Sequence, residues 1–173
     1  MADTFIKIAS VTVGSGGAAS IDFTSIPSTY TDLCLKISGR STHSSIDQTE
    51  ITFNGSAPGY NYRSIFGDGS SVASYGAGGS AITTYIPLQY LPGTAQTSST
   101  FTNSEMYIPN YAGSNHKSVS FDTVEENNAS TAYALIYAAI WSNTAAITSI
   151  KIDPQNGNFA QYSTFTLYGI KNS

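Results

Sequence analysis

The sequence holds a single cysteine, Cys34, in 173 residues. One thiol cannot close an intrachain disulfide, and it argues against a cysteine-based metal site, so the expected folding compartment is a reducing cytoplasm. Charge is scarce too. Charged residues make up 10% of the chain, less than half of the roughly 25% usual for globular domains. Cations are scarcest: seven Lys and Arg stand against eleven Asp and Glu, for a net charge of -4. That balance offers no basic footprint for nucleic acid. No apolar run approaches the ~20 residues of a membrane-spanning helix. Met1-Ala2-Asp3-Thr4 shows neither the cationic segment nor the apolar region of a secretory signal. Glu, Lys, Arg and Leu, which fill exposed helix positions, are few.

The inventory for acid–base chemistry is equally thin. His43 and His116 lie in separate polar turns, Arg40-Ser41-Thr42-His43-Ser44-Ser45 and Gly113-Ser114-Asn115-His116-Lys117. No Gly-x-Ser-x-Gly elbow accompanies them. Asp22, Asp32, Glu50, Glu105, Asp122 and Asp153 fall at strand edges or turns, and Glu125-Glu126 opens the polar turn Asn127-Asn128-Ala129-Ser130. They read as solvating charges, not as a facing pair of glycosidase carboxylates. Gly67-Asp68-Gly69 is a turn signal before it is a fragment of a calcium loop. Gly76-Ala77-Gly78-Gly79 lacks the Lys-Ser/Thr of a phosphate cradle. Asn54-Gly55-Ser56 and Asn128-Ala129-Ser130 read as turns. Cys34 alternates with strand aliphatics and is expected as a small buried thiol under a second sheet. The sequence therefore predicts no catalytic residues, no metal site, no cofactor and no enzymatic activity.

What is present is strand material: Thr, Tyr, Ile, Val and Phe, punctuated by Gly, Asn and Ser. Strands are expected at 5–13 and 20–24, joined as a hairpin through Gly14-Ser15-Gly16-Gly17. Leu33, Leu35 and Ile37 alternate with Cys34, Lys36 and Ser38, which puts three aliphatics on one face. Shorter strands are expected at 50–53 and 63–66, the second inside an extended glycine-rich loop over 54–80. Further strands are expected at 81–87, 101–109, 117–124, 133–141, 147–153 and 164–170. The run 133–141 could also be a buried helix. As a strand it sends Tyr133, Leu135, Tyr137, Ala139 and Trp141 to one side and Ala134, Ile136, Ala138 and Ile140 to the other. The lack of polar residues at a helical period favours a central strand covered on both faces. The fold class that follows is all-β: one domain over residues 1–173, an antiparallel, jelly-roll-like β-sandwich of about ten strands.

Twelve tyrosines are many for this length. Tyr85, Tyr107, Tyr133, Tyr137 and Tyr168 lie on expected strands and belong to the core or a sheet face. Tyr60, Tyr62, Tyr75, Tyr90 and Tyr111 lie on expected loops and are the interface candidates, because tyrosine combines a large contact area with a polar tip.

Two stretches carry a family likeness. One runs from Ile8-Ala9-Ser10-Val11-Thr12-Val13 to Ile21-Asp22-Phe23-Thr24-Ser25-Ile26-Pro27-Ser28-Thr29-Tyr30-Thr31-Asp32-Leu33. The other runs from Ile140-Trp141-Ser142-Asn143-Thr144-Ala145-Ala146-Ile147-Thr148-Ser149-Ile150 through Gly157-Asn158-Phe159-Ala160 to Ser163-Thr164-Phe165-Thr166-Leu167-Tyr168-Gly169-Ile170-Lys171. Together they resemble small virion structural proteins of tailed bacteriophages. The resemblance covers the two ends, about half of the chain, and carries over no functional residue. It implies a β-sandwich on the capsid exterior, made in the host cytoplasm: a decoration or cement protein bound to the major capsid protein and to itself, as a homotrimer. The alternative it allows is a tail or head fibre module that binds a receptor or a host-surface glycan, with Tyr60, Tyr62, Tyr75 or Trp141 as stacking platforms. Neither reading involves nucleic acid or a membrane.

Overall fold

The computed structural model describes residues 4–77, 83–125 and 132–171. Twelve strands and no helix are found among them: β1 (Phe5–Thr12), β2 (Ile21–Phe23), β3 (Asp32–Gly39), β4 (Asp47–Phe53), β5 (Tyr60–Gly67), β6 (Val72–Gly76), β7 (Ile86–Leu91), β8 (Thr102–Pro109), β9 (Lys117–Glu125), β10 (Tyr133–Trp141), β11 (Ile150–Pro154) and β12 (Thr164–Ile170). Residues 126–130 of the expected polar turn opened by Glu125-Glu126, Gly78-Gly79 and the first two residues of the expected 81–87 strand lie outside the described residues.

The strands form two antiparallel sheets. The larger has the order β1-β12-β3-β8-β9-β10-β5-β6, and the smaller β2-β11-β4-β7. Alternating burial follows from the pleat: β9 and β10 each bury every second side chain and expose the ones between. The buried set from the two sheets meets in one core, including Leu33, Leu35, Ile51, Phe53, Ile86, Phe121, Leu135, Trp141, Ile152 and Phe165. The chain is an all-β sandwich, as its composition implies.

Three expectations need correction. The first two strands are not a hairpin. β1 pairs with β12, while β2 pairs with β11 in the other sheet. Gly17, at φ +71°, helps turn a corner between sheets, held by its N–H on the Gly14 carbonyl at 3.1 Å. The stretch 54–80 is not mainly a loop. It contains the β5–β6 hairpin, closed by Asp68-Gly69-Ser70-Ser71, in which Asp68 Oδ1 accepts the N–H groups of Ser70 at 2.9 Å and Ser71 at 2.7 Å. Those donors hold the Asp68 carboxyl down at about 2. Finally, β10 is a strand, but the smaller sheet covers only one of its faces. Ala134, Ile136, Ala138 and Ile140 are exposed.

Two buried cations fasten the loops. Arg40, just after β3, donates through Nη1 to the carbonyls of Thr97 (2.8 Å) and Thr100 (3.0 Å), and through Nη2 to those of Gly93 (2.7 Å) and Gln96 (3.1 Å). Burial lowers its pKa, and the charge of Glu125 opposes that shift. The same two loops join directly: Ser41 N–H meets the Pro92 carbonyl, and Thr94 N–H meets that of His43. At Gly93 a Cβ would lie 1.9 Å from the Ser45 carbonyl oxygen, so only glycine allows this approach. At the other end of the sandwich Lys117 is buried, and its ammonium donates to the carbonyls of Gly113 and Asn115. Burial lowers its pKa as well.

Candidate interaction surfaces

The five interface tyrosines divide into three environments. Tyr60 and Tyr111 are fully buried and drop out as contact residues. Tyr60 is the first residue of β5, not a loop residue. Its hydroxyl accepts the Phe53 N–H at 2.7 Å and faces the Ser56 carbonyl at 3.1 Å, while its ring stacks on Trp141 with centroids 6.3 Å apart. Tyr111 does lie in a loop, yet it is fully buried and its phenol donates to the Pro27 carbonyl. A polar tip with a buried backbone partner makes such tyrosines core residues. Trp141 is also buried, edge-on to Phe53, and offers no stacking platform. Tyr62, on β5, is half-buried against Tyr137. Tyr90, on β7, is half-buried as well. Tyr75, on β6, is 48% exposed.

Among the described residues, the histidines, the cysteine and the carboxylates do not converge. β3 and β8 pair from Gly39 opposite Thr102 to Asp32 opposite Pro109. His43 follows the Gly39 end and His116 the Pro109 end, so the two histidines stand at opposite ends of the strand pair. Among the described residues no three His, Cys, Asp or Glu side chains gather where they could hold a metal. Cys34 is buried, but not under the second sheet. Its inward neighbours are Leu33 and Leu35, and its register partners on the outer side are Tyr107 and Tyr168. Burial, reinforced by the Glu105 charge, raises the thiol to about 11, which keeps it protonated and poorly nucleophilic at neutral pH.

Two surfaces with functional character emerge instead. The first is the outer face of β9, β10, β5 and β6. Its register places Val124 beside Ala134, Ala134 beside Gly67, and Gly67 beside Val72. The next row runs from Asp122 to Ile136, Ile65 and Ser74, and the row after that contains Ala138 and Arg63. Exposure reaches 77% at Val72, 68% at Ile136, 59% at Ile65 and 43% at Val124. A charged border continues the central row across the sheet: Asp122 pairs in register with Glu105, and Glu105 binds Lys36 at 2.6 Å. A contiguous aliphatic patch with a polar rim is the signature of a contact surface. Sequence reading missed it because an apolar residue at an exposed strand position looks the same as one under a second layer.

The second surface is a cleft of about 290 Å³ lined by Ile46, Asp47, Gln48, Tyr75, Tyr90, Gln155 and Asn156. It lies where the large sheet extends beyond the small one. The bulge between β4 and β7 pairs Asp47 with Leu91 and Gln48 with Gln89, leaving Tyr90 as the extra residue. Tyr90 accordingly takes φ +69°, a left-handed conformation rare for a bulky side chain.

No protein-family model, curated protein or solved structure matches this chain.

Proposed function

We propose that this protein is a non-enzymatic structural component of a tailed-phage virion. It acts as an external decoration protein that binds the shell of major capsid protein and reinforces it, itself associating as a homotrimer. The observation that carries the reading is the aliphatic outer face around Ile65 and Ile136. β10 has the composition of a strand covered on both sides, yet among the described residues only its inner face is covered. A partner surface supplies the missing layer. Burying apolar area there stabilises the assembly by ~25 cal/mol per Å² removed from water, less the cost of ordering the partners.

The strand order supports a jelly-roll reading of the sandwich. Without the β5–β6 and β9–β10 pairs, the sheets reduce to β1-β12-β3-β8 and β2-β11-β4-β7. Along this eight-stranded path the chain crosses between sheets at every step except β4 to β7, which are neighbours in the smaller sheet, and a jelly roll has the same pattern. The added strands extend the larger sheet, and it is they that carry the aliphatic face. β1 is an edge strand, but its register with β12 slips between Lys7 and Ala9. Such a bulge interrupts the ladder that strand addition would need, so docking by the sheet face is favoured over pairing at the β1 edge.

The test is addition of purified protein to phage shells that lack it. Saturable binding at a fixed number of copies per capsomer, with a rise in the shell's melting temperature, is the expected result. Failure to co-sediment with the shells at any concentration overturns the proposal.

A further inference from the structure

We infer that the cleft between Tyr75 and the β4–β7 bulge is a binding site for a neutral, polyhydroxylated ligand of the glycan class. The polar floor of the cleft, Asp47, Gln48, Gln155 and Asn156, is separate from the docking face, and only Tyr75, at the β6 edge, also borders the hollow that holds Ile65 and Ile136.

The cleft has the two components that sugar recognition uses. Its apolar wall is aromatic. Tyr75 stacks on Phe66 (centroids 5.2 Å apart), Phe66 on Tyr90 (6.1 Å) and Tyr90 on Tyr133 (4.2 Å), with interplanar angles of 30°, 18° and 17°. This column fixes the rings in place and ends in the exposed Tyr75, a rigid plane against which the C–H face of a pyranose can lie. Its polar floor is a set of planar amides around one carboxylate. Asp47 is buried, 3% exposed. Its Oδ2 accepts the Ser41 hydroxyl at 2.7 Å, and its Oδ1 accepts Gln48 N–H at 2.9 Å and Asn156 Nδ2 at 3.0 Å. Asn156 Nδ2 also donates to Gln155 Oε1 at 3.4 Å, so the Asn156 amide is held through its nitrogen and its own carbonyl oxygen is placed to accept a ligand hydroxyl.

The floor is also preorganised. Gln155 N–H donates to the Gln48 carbonyl at 2.8 Å, and Thr42 N–H to that of Asn158 at 2.8 Å. Asn158 N–H returns a bond to Thr42 Oγ1 at 2.9 Å. The strained backbone at Tyr90 turns its ring toward this floor, and strain of that kind concentrates where a side chain must be aimed. Charge narrows the ligand class. The lining contains one carboxylate and no cation, which disfavours phosphates, sulfated sugars and uronic or sialic acids. The volume lies near the lower end of the range for small-molecule sites, roughly 300–1,000 Å³, and suits one or two sugar rings.

The experiment uses the full chain on an array of neutral hexose and N-acetylhexosamine oligosaccharides beside sialylated and sulfated ones, followed by NMR titration with the best neutral ligand. The expected result is binding confined to neutral glycans, with shifts clustered at Gln48, Tyr90, Gln155 and Asn156. Tyr75→Ala should weaken binding by about tenfold or more, Tyr75→Trp should retain it, and Ile136→Thr on the docking face should leave it unchanged. Binding that prefers anionic glycans, shifts centred elsewhere, undiminished affinity in Tyr75→Ala, or no binding to any neutral glycan on the array would each overturn the inference.

Discussion

Ile136 of β10 and Ile65 of β5 are register partners on the outer face of the larger sheet, and both are more than half exposed. Within one chain neither gains from being aliphatic. Threonine keeps the β-branched shape and strand preference of isoleucine but replaces its ethyl branch with a hydroxyl. The double variant Ile65→Thr/Ile136→Thr should therefore melt within about 1 kcal/mol of the parent. It should nonetheless lose association with the capsid shell, read by co-sedimentation. A parent-like affinity would remove the outer face from the contact.

Tyr60 and Tyr75 test the opposite ends of the tyrosine distribution. Tyr60→Ala removes a buried ring that stacks on Trp141, and large-to-small core changes of this kind cost about 3–5 kcal/mol. Tyr60→Phe keeps the ring but leaves the Phe53 N–H without its hydroxyl acceptor, for a loss of about 1–3 kcal/mol. Tyr75→Ala, at the exposed end of its column, should cost less than about 1 kcal/mol. Urea unfolding of the three variants measures this order directly.

The limits of sequence reading show in the same residues. Strand periodicity placed the inward aliphatics of β3 and the run of β10 correctly, because alternation of period two is a local signal. Glycine density misplaced Tyr60, Tyr62 and Tyr75 on loops, since turn residues at 54–59 and 68–71 flank strands that they do not interrupt. Which sheet a strand joins is a long-range property. Nothing local distinguishes β2 paired with β11 from β2 paired with β1. The same holds for Ile136, whose exposure depends on how far the smaller sheet extends, and for the cleft, whose lining comes from four separated segments. Arg40 opens one polar turn sequence, and Lys117 closes another and begins the expected 117–124 strand. Their burial depends on which loop carbonyls converge on them.

Arg40 should be the most sensitive polar position. Its guanidinium bonds four carbonyls of the 93–100 loop, two from each terminal nitrogen. Arg40→Met fills similar space and strands those acceptors. With hydrogen bonds to charged groups worth ~1.5–3 kcal/mol, a loss of about 3 kcal/mol or more is expected. Arg40→Lys keeps the charge but cannot span both sides of the loop with one ammonium, so it should recover only part of the loss. Hydrogen exchange should show protection lost first at Thr94, Ala95 and Gln96, whose N–H groups bond within this joined pair of loops.

Tyr107 links stability to alkaline pH. Its hydroxyl donates to Asp32 Oδ2 at 2.6 Å, and Asp32 Oδ1 accepts the Asn110 N–H at 2.8 Å. The bond to the carboxylate, with burial adding to it, raises the phenol from 10.0 to about 12. The folded protein therefore holds this proton more tightly than the unfolded chain does. The stabilisation is complete below the unfolded value, declines as pH rises above it, and is gone once pH has passed through the folded value. Tyr107→Phe should abolish that part of the alkaline loss and lower stability at neutral pH, where the bond is intact. Tyrosinate absorbance should show one phenol fewer titrating late in the variant. Equal slopes of stability against pH for parent and Tyr107→Phe above pH ~10 would mean that the Asp32 contact does not hold the proton.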